Sequence, residues 1–324
     1  MSFHEQFLTR SLSKRVLLGA SLVSVFFVSC DAPNPYEDDL PTKGHVLILA
    51  DEDLRSLVEA EELVFESIYT KAELDIRYLP EAQLLKAVLN DSVRCWIATV
   101  QPGGEQETYY AKRTVRSHVV PICMDGIAVM VNKNCQLDRL SIEQLKSALT
   151  SPTRFQALGW SVGNEAGPLE PPLPLFVAAG SGVARALVDS LFGQSGELKI
   201  SALSMPDLNA LVERVALDPR AIGIVSFAAI SDLDNPQMKA IRDKVKLVAI
   251  SGADGSAAFL PSQSTLADGS YPLRRQVCMI LCEGKSGLGT GFVSFVANHK
   301  GQRIILKQGL APQKVPPRDV EIVP

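Results

Sequence analysis

The chain has 324 residues, 46% hydrophobic and 21% charged, enough for one large or two medium domains with real cores and unlike a disordered or coiled-coil chain. Its formal net charge is −4 and no long basic block occurs. That excludes the clustered cationic surface needed to grip a phosphate backbone, so no nucleic-acid partner is expected.

Residues 1–29 differ in kind from the rest. Arg10, Lys14 and Arg15 precede Val16 to Val28, a run of 13 uncharged residues. That run is too short to cross a hydrocarbon core of about 30 Å as a helix. A basic segment, a short apolar run and Ser29-Cys30 together read as a lipoprotein export signal, with Cys30 as the lipidated residue. Removing 1–29 leaves 29 basic against 35 acidic side chains, a net charge of −6. Residues 30–44 carry three prolines and four acids and predict an extended tether. Lipid, tether and body together predict an exported protein anchored to a membrane and facing the periplasm or the cell surface.

His45 to Ala50 is a short apolar run suited to a strand buried on both faces. Apolar residues at helical spacing then predict a helix across 51–70. A strand over 74–79, a helix opened by Pro80 in its first turn and a strand over 94–99 follow. This alternation predicts a parallel sheet with covered faces. Residues 115–124 and 126–132 read as a pair of strands split at Gly126. Ser141 and Gln144 have capping-box spacing for a helix ending near Thr150, and 159–174 reads as a surface loop. Leu175 to Ala178 is a strand, and Gly180-Ser181-Gly182 leads into a helix over 183–192. A helix from Pro206, strands over 221–227, 245–250 and 276–281, and helices over 291–298 and 301–306 complete the reading.

The five cysteines beyond Cys30 form no CxxC pair, and none neighbours His45, His118 or His299. Buried thiols are therefore expected, with no metal site. Catalytic signatures are absent: there is no Gly-x-Ser-x-Gly, no His-Glu-x-x-His and no nameable Cys–His pair. No catalytic residue and no cofactor is implied. The acid pairs Asp38-Asp39 and Glu61-Glu62 read as solvated.

The informative chemistry lies at Gly180-Ser181-Gly182, between a strand and a helix. Small residues there let a ligand approach the backbone, the free N–H groups of a first helical turn favour an anion, and Ser181 adds a hydroxyl. No Lys follows the glycines, so this is not the phosphate loop of nucleotide hydrolases. Asp51-Glu52-Asp53 follows the first strand and admits two readings. The acids either cap the next helix, or Asp53 points into a cleft, where it would repel an anion.

Several stretches resemble the substrate-binding proteins of phosphate ABC transporters. Pro121 to Lys133 resembles their hinge-crossing strand and Leu140 to Thr150 their following helix. Ala221 to Ser226 resembles their glycine-containing strand, and Gly287 to Asn298 with Gly301 to Leu306 the C-terminal helices of the lipoprotein members. The resemblance implies an α/β, two-lobed periplasmic binding protein of type II, each lobe a mixed sheet flanked by helices, with two hinge crossovers. Lobe 1 would be 45–132 plus 262–324 and lobe 2 would be 133–261. It implies phosphate or another small oxyanion as ligand, an ABC permease as partner, and closure of the lobes as the working motion.

On that reading Gly180, Ser181 and Gly182 bind the ligand, with Thr99 across the cleft and Asp53 beside it. The binding pattern departs from the family's at four places. Val183 replaces a threonine, Asp53 stands where serine or threonine is usual, Val100 lies where an acid or arginine is common, and Val177 replaces an arginine. Each lost polar contact costs about 1–3 kcal/mol of binding. A binding scaffold that has left phosphate for another solute or a protein partner is the alternative.

Overall fold

The computed structural model describes residues 39–90, 92–150, 161–162, 165–166, 172–193 and 201–315. The predicted signal 1–29, Cys30 and the tether up to residue 38 lie outside the described residues, as does most of the loop expected at 159–174.

β1 (Lys43–Asp51) is the apolar run expected near 45–50. Its side chains alternate between two cores: Val46, Ile48 and Ala50 enter the larger one, and Leu49 enters a smaller one with Trp96. A 3₁₀ turn at Glu52–Leu54 leads into α1 (Arg55–Ile68), which buries Leu57, Val58, Glu61 and Phe65. That spacing corrects one expectation. Glu61 is only 2% exposed rather than solvated, because it shares the helix face that packs inward.

β2 (Lys71–Leu79) and β3 (Val93–Ala98) flank β1 and run parallel to it. α2 (Glu81–Ala87) lies between them with Pro80 as its N-cap, one position before the first turn expected for it. α3 (Gly104–Lys112) has no counterpart in the sequence reading.

β4 (His118–Asn132) is a single 15-residue strand, not a pair split at Gly126. At Gly126 an added side chain would meet Leu266, Tyr271 and Pro261 at 3.0–3.4 Å, so the glycine serves close packing rather than a turn. β4 changes partners at that point. Its first part, through Gly126, pairs antiparallel with β13 (Arg274–Leu281), and Ile127–Met130 pair antiparallel with β10 (Ala221–Ser226).

Beyond β4 come β5 (Arg139–Ser141) and α4 (Ile142–Ala148), then a short antiparallel pair of β6 (Ser161–Val162) and β7 (Glu165–Ala166). β8 (Leu173–Val177), α5 (Gly182–Phe192), β9 (Leu203–Met205) and α6 (Leu208–Leu217) follow. α6 starts after Pro206, capped by the Asp207 side chain. α7 (Pro236–Lys244) was not anticipated, and the strand expected at 245–250 divides into β11 (Val245–Leu247) and β12 (Ala249–Ser251). β11 pairs with β4 and β12 with β5, so the chain must turn at Val248. α8 (Gln263–Ala267), α9 (Leu288–Ala297), α10 (His299–Lys307) and β14 (Ala311–Pro312) complete the described fold.

The main sheet runs β2-β1-β3-β13-β4-β10-β8-β9, with β11 and β14 also on β4. Parallel pairs on both sides of the antiparallel β13-β4-β10 centre make it mixed, not wholly parallel. The architecture is α/β and two-lobed, the halves sharing β4. One half is built on β1–β3 and β13, the other on β8–β10.

The fold takes in residues 39–44, which the sequence places in the tether. Leu40 bridges to Lys43, β1 begins at Lys43, and Asp39 Oδ1 accepts a hydrogen bond of 2.9 Å from Leu288 N at the start of α9. Glu283 caps the same helix end, accepting from Thr290 N (3.0 Å) and Thr290 Oγ1 (2.6 Å). Unpaired helical N–H groups draw Asp39 out of the tether and into the fold.

Cys95, Cys123, Cys278 and Cys282 are buried free thiols, and Cys135 is buried too. On the central strands Cys95 and Cys123 enter the larger core, whereas Cys278 and Cys282 enter the smaller one on the opposite face. Bridging across neighbouring strands is therefore ruled out by the pleat.

Candidate oxyanion seat between the two halves

The turn after β8 holds two residues in the left-handed region. Ala178 has φ +58°, Gly180 has φ +78°, and Ala178 N donates to Met205 O at 3.0 Å. Only glycine fits at 180, because a side chain there would also meet Ala82 Cβ at 2.9 Å. The turn delivers Ser181 as N-cap of α5, its Oγ accepting from Val183 N at 3.1 Å. Strand, tight turn and helix N-terminus are thus arranged as the sequence suggests, with N–H groups and a hydroxyl facing the other half.

What meets them is a carboxylate of the same chain. Asp53 Oδ2 accepts from Ser181 Oγ at 2.7 Å and from Val183 N at 2.9 Å. Of the two readings left open by Asp51-Glu52-Asp53, each holds for a different residue. Asp51 caps the 3₁₀ turn, accepting from Asp53 N at 3.3 Å, while Asp53 crosses the cleft.

Further groups converge behind this contact. Asp51 is fully buried, and its Oδ2 lies against the Cα of Gly182. A side chain at 182 would overlap that oxygen and stand 3.0 Å from Glu81 Oε2, which explains the glycine. Glu81, at the start of α2, holds the Arg185 guanidinium through Nε and, at 3.1 Å, through Nη2. Thr99 Oγ1 donates to Glu81 Oε2 at 3.3 Å and accepts from Arg185 Nη2 at 3.3 Å. Arg185 Nη1 is taken by Asp189 Oδ2 at 2.6 Å.

On the hinge strand, Asp125 accepts from Ser226 Oγ (2.8 Å), Ala228 N (2.9 Å) and Arg275 Nε (2.8 Å). The Nη1 and Nη2 atoms of Arg275 are buried without a hydrogen-bond partner, and its charge acts on Asp51 and Asp53.

The electrostatics follow from burial. Desolvation pushes Asp51 well above the usual carboxylate range, helped by the Asp53 charge and opposed by Arg275. Asp53 is also raised by burial, against the pull of Arg275, Ser181 and the Val183 N–H. Arg275 is raised despite its burial, because Asp125, Asp53 and Asp51 surround it.

All five residues expected to bind ligand come together here. Gly180, Ser181, Gly182 and Asp53 form the seat itself, and Thr99 belongs to the adjoining Glu81–Arg185 bridge. Val183 contributes its backbone N–H, while Val177 lines a neighbouring cavity. That cavity, about 400 Å³, has Glu52, Asp53 and Glu59 on one side and Asp207, Asn235 and Met238 on the other. The sequence reading missed Asp51 as a partner of the turn, and also Glu81, Asp125, Arg185 and Arg275. A lone acid at 125 and an arginine at 275, each inside an apolar strand, were the available signal, since a buried charge needs a partner.

Among the described residues no cluster of His, Cys, Asp and Glu could hold a metal ion, and no helix is long and apolar enough to cross a membrane.

A family model described as a PBP superfamily domain matches residues 37–300. No curated protein matches the chain in sequence. Among solved structures, the chain is similar to a Clostridium perfringens protein named as a phosphate ABC transporter substrate-binding protein and holding phosphate. That likeness has 19% identity and a TM-score of 0.65, covering 84% of this chain and 100% of the other. An ABC-type phosphate transport receptor from Vibrio cholerae shares 13% identity at a TM-score of 0.61, covering 83% and 100%. PstS from Borrelia burgdorferi shares 13% at 0.51, covering 84% and 99%. At these identities the likeness is one of fold.

Proposed function

The chain belongs to the PBP superfamily, and from that premise we propose that it is an extracytoplasmic solute-binding lipoprotein whose oxyanion seat no longer takes phosphate. It is not an enzyme on this reading. It is anchored through Cys30 and recognises its ligand between lobe 1 (45–132 plus 262–324) and lobe 2 (133–261), which hinge where β4 changes partners. An ABC permease is the partner expected of such a protein.

One observation carries the reading: the Asp53 carboxylate already accepts the Ser181 hydroxyl and the Val183 N–H. Phosphate brought to those donors would have to displace the Asp53 carboxylate and would then stand beside it and Glu81. Like charges in a desolvated site oppose each other strongly. Nor is Arg185 free to compensate, since Glu81 and Asp189 hold it. The neighbouring cavity lined by Glu52, Asp53 and Asp207 is the room left for a solute.

Arg275 favours a second reading, phosphate uptake, as the names of the similar structures suggest. Its two buried Nη groups lack partners and act on the same carboxylates, so an oxyanion could be held if Asp53 moved aside. Calorimetric titration with phosphate separates the two. The first predicts no heat from the wild-type protein at millimolar phosphate and a gain of binding in Asp53→Ser/Val183→Thr. Micromolar binding by the wild type would establish the second.

A further inference from the structure

We infer that Asp53 is an internal ligand, holding the two halves closed at the oxyanion seat when no solute is present. It rests on the proposed reading only in taking the halves to move about β4.

In a two-lobed clamp, closure is favoured by contacts that a solute makes to both sides at once. Here the chain supplies such contacts itself. Asp53 leaves the end of β1, crosses to α5, and accepts two hydrogen bonds there with one oxygen. Around it the halves are joined at three further places. Ala82 N donates to Gly180 O at 3.1 Å, Ser56 Oγ donates to Ala228 O at 2.8 Å, and Arg185 reaches Glu81 and Thr99.

The seat is shaped for this arrangement. Gly182 lacks the side chain that would push Asp51 and Glu81 away, and Gly180 lacks the one that would push off Ala82. A tethered group also has an advantage over a free ion, because its effective concentration is of the order of millimolar or higher. A small anion present below that level does not displace a well-placed carboxylate. Asp53 thereby sets specificity as well as conformation. A solute that opens the clamp must either break the Asp53 contact or bind beside it without disturbing it.

The test is amide hydrogen exchange with small-angle X-ray scattering on solute-free protein, comparing wild type with Asp53→Ser, Asp53→Asn and Ser181→Ala. The reporters are Val183 N–H, which donates to Asp53, and Ala82 N–H, which donates across the cleft to Gly180. In Asp53→Ser both are expected to exchange about tenfold faster or more, the equivalent of one lost hydrogen bond, with a larger radius of gyration. Asp53→Asn keeps an acceptor of the same shape and should stay close to wild type. Ser181→Ala leaves the buried acids in place, so it reports even if Asp53→Ser does not fold; exchange at Ala82 should rise in it too.

Wild-type amides as fast as those of Asp53→Ser, or no rise at Ala82 in a folded Asp53→Ser or in Ser181→Ala, would overturn the inference. The functional reading fails separately. A wild type that binds phosphate yet protects Val183 and Ala82 without it removes that reading and leaves the internal ligand standing.

Discussion

Glu61 lies on the buried face of α1 with neither carboxyl oxygen hydrogen-bonded, and burial lifts its pKa from 4.5 to about 9. The folded pKa is above the ordinary one, so the acid is protonated in the fold and ionised in the unfolded chain at neutral pH. Its contribution is most favourable below about pH 4.5 and is lost progressively as pH rises towards 9. Glu61→Gln should therefore match wild type in urea melts at pH 4 and be more stable by about 3 kcal/mol at pH 7. Equal gaps at both pH values would show that the carboxyl is not neutral in the fold. Residues of this kind mark the limit of a local reading. Gly180, Ser181 and Gly182 stand out because they lie between a strand and a helix start, where backbone N–H groups favour an anion. Asp53 stayed open between cap and cleft, since the choice depends on a serine 128 positions away. Asp125 and Arg275, 150 apart, each stand out as a charge in an apolar strand, but neither strand alone names its partner.

At the scale of elements, periodicity was legible where one face is apolar and the segment long. β1, α1 and α5 fall close to their expected ranges for that reason. α3 was missed because Gly104-Glu-Gln-Glu-Thr-Tyr-Tyr-Ala-Lys112 buries only Gln106 and Tyr110, too weak a stripe to notice. α8, five residues long, buries one. β4 runs unbroken through Gly126, whose small size admits three side chains where the sequence suggests two strands. Capping chemistry fared better. Ser141 Oγ accepts from Gln144 N at 3.0 Å and Gln144 Oε1 accepts from Ser141 N at 2.9 Å, the reciprocal pair expected from spacing. Ser141→Ala should cost about 1 kcal/mol in denaturant melts. A loss several times larger would mean that the Ser141 contact with Asp254 matters more than the cap.

For the whole molecule, Asp125 is the bolt at the point where β4 passes from one half of the sheet to the other. It ties Arg275 on β13 to Ser226 at the end of β10 and to Ala228 beyond it. Asp125→Ala leaves a buried guanidinium with none of its donors paired and should cost about 3–5 kcal/mol by chemical denaturation. A loss below about 1 kcal/mol would mean that water reaches Arg275 and the hinge is not sealed. The docking of Asp39 on α9 has a mechanical consequence. α9 packs on β1, β4 and β13, so the point where the folded body meets the preceding chain belongs to the β1 half. In the proposed motion about β4, that half is the stator and the β8–β10 half the rotor. Any pull arriving along the backbone from upstream is borne by a doubly capped helix end and by strands in register. On that reading it loads the frame and leaves the moving half unloaded.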